Sequence, residues 1–118
     1  MNPSLIVIRT KKLEECVDFY SQLGLVFNKE KHGNGPVHYA SEVENLVFEV
    51  YPCKEHEEES NVRLGFNFEI GDENYSNVEV WAQEYASSSY INENGFEIYI
   101  LSDPGFRKVE IGFKRELT

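Results

Sequence analysis

Two carboxylates sit inside apolar, strand-like runs: Glu49 in "LVFEVYP" (46–52) and Glu110 in "KVEI" (108–111). A charged side chain is seldom buried without a partner, so each calls for a cation, a proton or water. Strand alternation puts Leu46, Phe48 and Val50 on one face and Val47, Glu49 and Tyr51 on the other. The second run repeats this, with Val109, Ile111 and Phe113 opposed to Lys108, Glu110 and Gly112. If both Glu-bearing faces meet in a shared cleft, the two like charges cannot both lose water cheaply. One must take up a proton, or a cation must lie between them. Arg9, Lys108 and Asn67 are the expected partners, because alternation places each on the same face as a Glu.

Other reactive side chains add little at this level. Cys16 falls on the apolar stripe of a helix and is expected in the core. Cys53 and His56 share the loop "PCKEHEEES", but two residues do not complete a tetrahedral metal site. His32 is also expected in a loop, and His38 on a middle strand with a satisfied or exposed side chain. There is no Gly-x-Ser-x-Gly and no P-loop pattern. "GNG" at 33–35 reads as a turn, with no helix after it to hold a phosphate.

The elements that must position the carboxylates follow from periodicity. "LIVIR" (5–9) reads as a strand, followed by a helix in which Leu13, Cys16, Val17, Tyr20 and Leu23 form one stripe. Thr10 is the expected N-cap and Gly24 the expected stop. "LVFNKE", "VHYAS" and "LVFEVY" follow as three short strands separated by Gly, Pro or Asn. After the polar segment "PCKEHEEESN" the pattern restarts. "RLGFNFEI" alternates, with Leu64, Phe66, Phe68 and Ile70 on one face. A helix is expected around Val78, Trp81 and Tyr85, capped by Asp72 or Asn74, followed by "SYI", "FEIYILS" and "RKVEIGFK" as strands. Ile6 and Ile8 correspond to Phe66 and Phe68 at a shift of 60; Glu49 and Val50 correspond to Glu110 and Ile111 at a shift of 61. The chain is therefore one domain of two βαβββ modules, 3–52 and 62–118, joined by a linker at 53–61.

The segments "LIVIRTKKLEECVDFYSQLGL", "LVFEVYP" and "DPGFRKVEI" together resemble the vicinal oxygen chelate superfamily of glyoxalase, bleomycin-resistance and extradiol dioxygenase proteins. Phe19, Tyr20, Leu23 and Gly24 match the end of the family's helix, and Asp103 and Pro104 match the turn before its last strand. The resemblance implies an α+β fold of two βαβββ modules whose curved mixed sheets form a cleft. It also implies metal ligands on the first and last strands of each module. Glu49 and Glu110 stand at the two Glu positions, but the two imidazole positions fall on Leu5 and Gly65, which carry no donor. No metal and no cofactor are therefore expected.

With 118 residues, 41% of them hydrophobic, the chain can build a real core, which argues against disorder. A net charge of −10, from 21 acidic and 11 basic residues, disfavours nucleic acid and anionic membranes as partners. The opening "MNPSLIVIRTKK" has only four consecutive apolar residues, too few for a signal peptide or a spanning helix, so a cytoplasmic location is expected.

The leading expectation is a homodimeric small-molecule binding protein of the bleomycin-resistance kind, its acidity compatible with a cationic ligand. Leu5, Val7, Val47 and Tyr51 would form the apolar wall, and Glu49, Asn67 and Glu110 the polar anchors. Phe27, Tyr39, Phe96 and Tyr99 are further candidates for the lining. The alternatives are a metal-dependent lyase, isomerase or dioxygenase of the same superfamily, with Glu49 as ligand or base, and an acidic protein-interaction module. A satisfied carboxylate pair that binds nothing is the plain structural reading of Glu49 and Glu110.

Overall fold

In the computed structural model, which describes residues 1–116, the βαβββ order occurs twice. The first set is β1 (Leu5–Thr10), α1 (Leu13–Ser21), β2 (Asn28–Glu30), β3 (His38–Val43) and β4 (Leu46–Pro52). The second is β5 (Leu64–Phe68), α2 (Tyr75–Tyr85), β6 (Ser88–Ile91), β7 (Phe96–Ser102) and β8 (Lys108–Lys114). The chain divides into two compact units at Asn61 and Val62. Each unit holds one four-stranded sheet, ordered β1-β4-β3-β2 in the first and β5-β8-β7-β6 in the second. β1 pairs with β4, and β5 with β8, in parallel; the remaining pairs are antiparallel, so both sheets are mixed. The fold is α+β.

Each helix packs on its own sheet, α1 against β4 and β1, and α2 against β7 and β8. In the first unit Ile8, Cys16, Val17, Tyr20, Leu23, Phe48 and Val50 form that buried layer. In the second, Val78, Ala82, Val109, Ile111 and Phe113 do so. The Phe113 ring meets Phe68, Tyr75 and Tyr99 at centroid distances of 5.3 to 5.8 Å. Burying one such side chain contributes about 1.5–3 kcal/mol.

Several local expectations give way to specific competitors. Thr10 is not the helix cap: α1 starts at Leu13, with Lys12 in the cap position and no side-chain cap bond. The Thr10 hydroxyl accepts from the Lys12 N–H at 3.0 Å and donates to Glu59 at 3.0 Å. Neither Asp72 nor Asn74 caps α2 with a side chain; the Asp72 carboxylate accepts the Glu69 N–H instead. The buried line of α2 is Val78 and Ala82, at i and i+4, while Trp81 is only half-buried and Tyr85 is exposed. Leu25, Val26 and Phe27 precede β2 rather than extending it. Ile70 falls beyond the end of β5 and is exposed. Gly24 does stop α1: at φ 90° it takes a conformation that costs other residues energy, and its N–H reaches Ser21.

The polar segment at 53–61 runs back along β1. Cys53 N–H continues the β1–β4 ladder by donating to the Thr10 carbonyl, whereas on the other edge of β1 Ser60 N–H donates to the Arg9 carbonyl and Arg9 N–H to the Ser60 hydroxyl at 2.8 Å. Glu59 also accepts the Lys11 N–H at 2.7 Å. The Ser60 and Glu59 bonds occupy backbone groups that an uncovered strand edge would leave to water or to another chain.

Candidate functional site

In the first unit, β1 and β4 run side by side with Leu5 opposite Val47, Val7 opposite Glu49, and Arg9 opposite Tyr51. Alternation therefore places Leu5, Val7, Val47, Glu49 and Tyr51 on one face, with Phe48 and Val50 buried on the other. Leu5 is exposed, and the rest of this set is half-buried.

Glu49 is met from β3. His38 Nε2 lies 3.5 Å from Glu49 Oε2 and 3.3 Å from Glu30 Oε2. The His38 ring stacks on Tyr51, with centroids 4.1 Å apart and planes 7° from parallel. Loss of water, then the Glu49 charge, pushes the Tyr51 phenol above its ordinary value; Arg9, 5.3 Å from the ring centroid, pulls the other way. Glu30 also approaches His32, whose Nε2 lies 3.4 Å from the same Oε2. Two of the three histidines thus share one place with Glu30, although the sequence separates them into a loop and a strand. The available signal is the spacing Glu30-x-His32 followed by His38 across a Gly-rich turn, which acquires meaning only once Glu30 and His38 pair across β2 and β3.

An open pocket of about 610 Å³ lies beside this group, walled by Arg9, Asn34, Pro36, Tyr51, Lys54 and Glu57 among others. Of the expected ligand residues only Tyr51 lines it. Phe96 and Tyr99 are core residues, Phe27 packs against Phe48, and the Tyr39 hydroxyl donates to Glu14 at 2.9 Å. Cys53 reaches the pocket wall, and its thiol donates to the Glu58 carbonyl at 3.3 Å.

In the second unit, Gly65 stands opposite Glu110, and Asn67 opposite Gly112. Arg63 Nε lies 2.7 Å from Glu110 Oε2, and the Tyr90 hydroxyl donates to Oε1 at 2.8 Å. That hydrogen bond is the main reason the Tyr90 phenol is raised, with desolvation second. The Asn67 side chain fills the space over Gly112: a methyl group there would come within 2.5 Å of Asn67 Oδ1. The partners expected for the carboxylates were Arg9, Lys108 and Asn67, whereas those found beside them are His38 for Glu49, and Arg63 and Tyr90 for Glu110.

No protein-family model matches the chain, and no curated protein matches it. Solved structures do. "Oxidase ChaP-H2" superposes with a TM-score of 0.68 at 11% identity, over 98% of this chain and 94% of that one. A lactoylglutathione lyase from Agrobacterium tumefaciens gives 0.62 at 14%, over 95% and 92%. A glyoxalase family protein from Enterococcus faecalis gives 0.65 at 15%, over 94% and 96%. All three are vicinal oxygen chelate proteins. The chain has the vicinal oxygen chelate fold.

The residues at the positions where the family resemblance would place metal ligands do not suit a metal of the glyoxalase kind. Leu5 offers no donor atom and Gly65 no side chain, and the Glu110 carboxylate is engaged by Arg63 and Tyr90. Space is not the obstacle at Gly65, where a Cβ would meet nothing closer than 3.9 Å.

Proposed function

We propose that the chain binds a small molecule in the pocket beside Tyr51, in the manner expected of a bleomycin-resistance-like protein and without a metal at the fold's usual ligand positions. The observation that carries this is the pocket itself. Its volume of about 610 Å³ falls within the usual range for ligand sites, and it combines an aromatic wall with a few charged groups. Arg9 and Lys54 face it against one carboxylate, Glu57, whose Oε1 already accepts the Lys54 backbone N–H at 2.7 Å. A ligand with an anionic group suits these charges better than the cationic one that the net charge of the chain suggested. A homodimer and a cytoplasmic location complete this reading. Sedimentation of the purified protein tests the first and fractionation of cells the second. Among the described residues, no helix is long and apolar enough to cross a membrane.

A thermal-shift screen with two panels, small carboxylates and phosphates against cationic drugs, tests the binding reading. A compound from the anionic panel should raise the melting temperature, and Arg9→Ala and Lys54→Ala should each abolish the shift. A response confined to the cationic panel, or one that survives both substitutions, contradicts the assignment to this pocket.

A further inference from the structure

The end of the β2–β3 hairpin carries a group of donors that the ligand reading leaves unused. Glu30 closes β2, His38 opens β3 directly opposite it, and His32 lies two residues beyond Glu30. The connecting turn folds back tightly, with Gly35 N–H bonded to the His32 carbonyl at 2.9 Å and Gly33 at φ 57°. Glu30 Oε2 stands 3.4 Å from His32 Nε2 and 3.3 Å from His38 Nε2, and each of the three residues offers one donor atom within 4.8 Å of the others'. Bonds of about 2.0–2.2 Å from a tetrahedral ion set its donors about 3.3–3.6 Å apart.

His38 supplies a second and independent argument. Its side chain is 1% exposed. Its Nδ1 lies 3.2 Å from the Pro36 carbonyl, which can only accept, so the proton of the neutral ring sits on Nδ1. Nε2 then carries a lone pair beside two carboxylates, Glu30 at 3.3 Å and Glu49 at 3.5 Å. Nε2 is also one of the buried side-chain atoms without a hydrogen bond, because neither oxygen lies where an N–H there would point. A buried lone pair beside two negative groups is unfavourable unless a positive charge lies between them. A proton on Nε2 would supply the charge but would be aimed at neither carboxylate, whereas a metal ion needs the donors to converge, as they do. A histidine that gives one ring N–H to a backbone carbonyl while the other nitrogen binds metal is a recurrent arrangement, because it fixes tautomer and ring orientation. Tyr51, stacked on the ring, holds it further.

We propose that Glu30, His32 and His38 form a binding site for a first-row divalent metal ion, with Zn²⁺ as the reference occupant. Two imidazoles and one carboxylate make three protein donors and leave an open position for water or another ligand. His32, 73% exposed, and Glu30, 37% exposed, open that position to solvent. Glu49, beside His38 but outside the three-donor set, adds negative charge that favours a cation there. The site lies within one hairpin and uses neither Leu5 nor Gly65, and its loss leaves Arg9 and Lys54 in the neighbouring pocket untouched.

Calorimetric titration of the chelator-stripped full chain with Zn²⁺ tests the proposal, and the absorption spectrum of the Co²⁺-loaded protein accompanies it. One Zn²⁺ per chain should bind, with Co²⁺ bands of a four- or five-coordinate ion. His32→Ala and Glu30→Gln should each weaken binding by about tenfold or more and alter the Co²⁺ bands. His56→Ala, in a different loop, should leave both unchanged. His32 and Glu30 are exposed enough for these variants to fold, which circular dichroism checks, so the test does not depend on removing buried His38. Absence of saturable Zn²⁺ binding, or wild-type affinity in either His32→Ala or Glu30→Gln, overturns the three-donor site.

Discussion

Glu49 and Glu110 occupy corresponding strand positions, yet different chemistry meets each. Alternation reveals the face on which each carboxylate lies, because that follows from the chain itself. It does not reveal the partner, because His38, Arg63 and Tyr90 arrive from other strands and loops. Arg63 is 59% exposed, so its ion pair with Glu110 should contribute only about 0.2–1 kcal/mol, and Arg63→Ala should change the denaturation midpoint little. The Tyr90 hydroxyl offers a sharper measurement. Its hydrogen bond to Glu110 raises the phenol above the ordinary tyrosine value of about 10. The folded state therefore holds this proton more tightly than the unfolded chain. The resulting stability is fully present below about pH 10 and is lost as pH rises through the folded value. Tyr39 and Tyr51 are raised as well, so ultraviolet titration of phenolate should show several late-ionising tyrosines, of which Tyr90→Phe removes one and Glu110→Gln shifts one earlier. An unchanged titration in Glu110→Gln would remove the carboxylate as the cause.

Hairpins and turns show how much of an element can be read before its partners are known. The Asp103-Pro104 turn between β7 and β8 is plain in the sequence, but its anchor is not. Asp103 Oδ1 accepts the backbone N–H groups of Gly105 and Arg107 at 2.9 and 3.0 Å. Oδ2 takes Arg107 Nε at 2.7 Å, and both side chains are buried. Asp103→Ala leaves a buried guanidinium without its carboxylate, so unfolding stability should fall by about 3–5 kcal/mol. A loss below about 1 kcal/mol in denaturant titration would show that water or a neighbour replaces the carboxylate. The same turn holds Phe106 at φ 67° with its ring 88% exposed, a conformation that costs an L-residue about 1–2 kcal/mol. Glycine relieves that strain but loses about 0.5–1 kcal/mol to unfolded-state freedom. Phe106→Gly should therefore raise stability slightly, by about 0.5 kcal/mol. The β2–β3 hairpin is the harder case: Glu30, His32 and His38 become a group only through cross-strand pairing and a turn at Gly33, neither of which their spacing announces.

For the whole chain, the repeat made the architecture legible, because two copies of one βαβββ pattern are stronger evidence than either alone. The first strands align at a shift of 60, which would set Asn67 beside Glu110 as Val7 stands beside Glu49; Gly65 stands there instead. A slip of two residues keeps every side chain on its face, so hydrophobic alternation cannot detect it. Net charge acts on the same scale. With ten more acidic than basic groups, the folded chain repels itself more than the expanded unfolded chain does. At about 0.01 M salt the screening length is about 30 Å, long enough for carboxylates throughout a unit to repel one another, and at about 0.15 M it is about 8 Å. Screening also weakens exposed ion pairs such as Lys12 with Glu15 and Arg63 with Glu110, but each is worth only about 0.2–1 kcal/mol. Repulsion should dominate, and the melting temperature in metal-free NaCl should rise by a few degrees across that range. A flat or falling curve would mean that local ion pairs outweigh the charge excess. If the alternative of an acidic interaction module holds, association with a basic partner should weaken over the same salt range in which the free chain becomes more stable, which a binding titration at both salt levels measures.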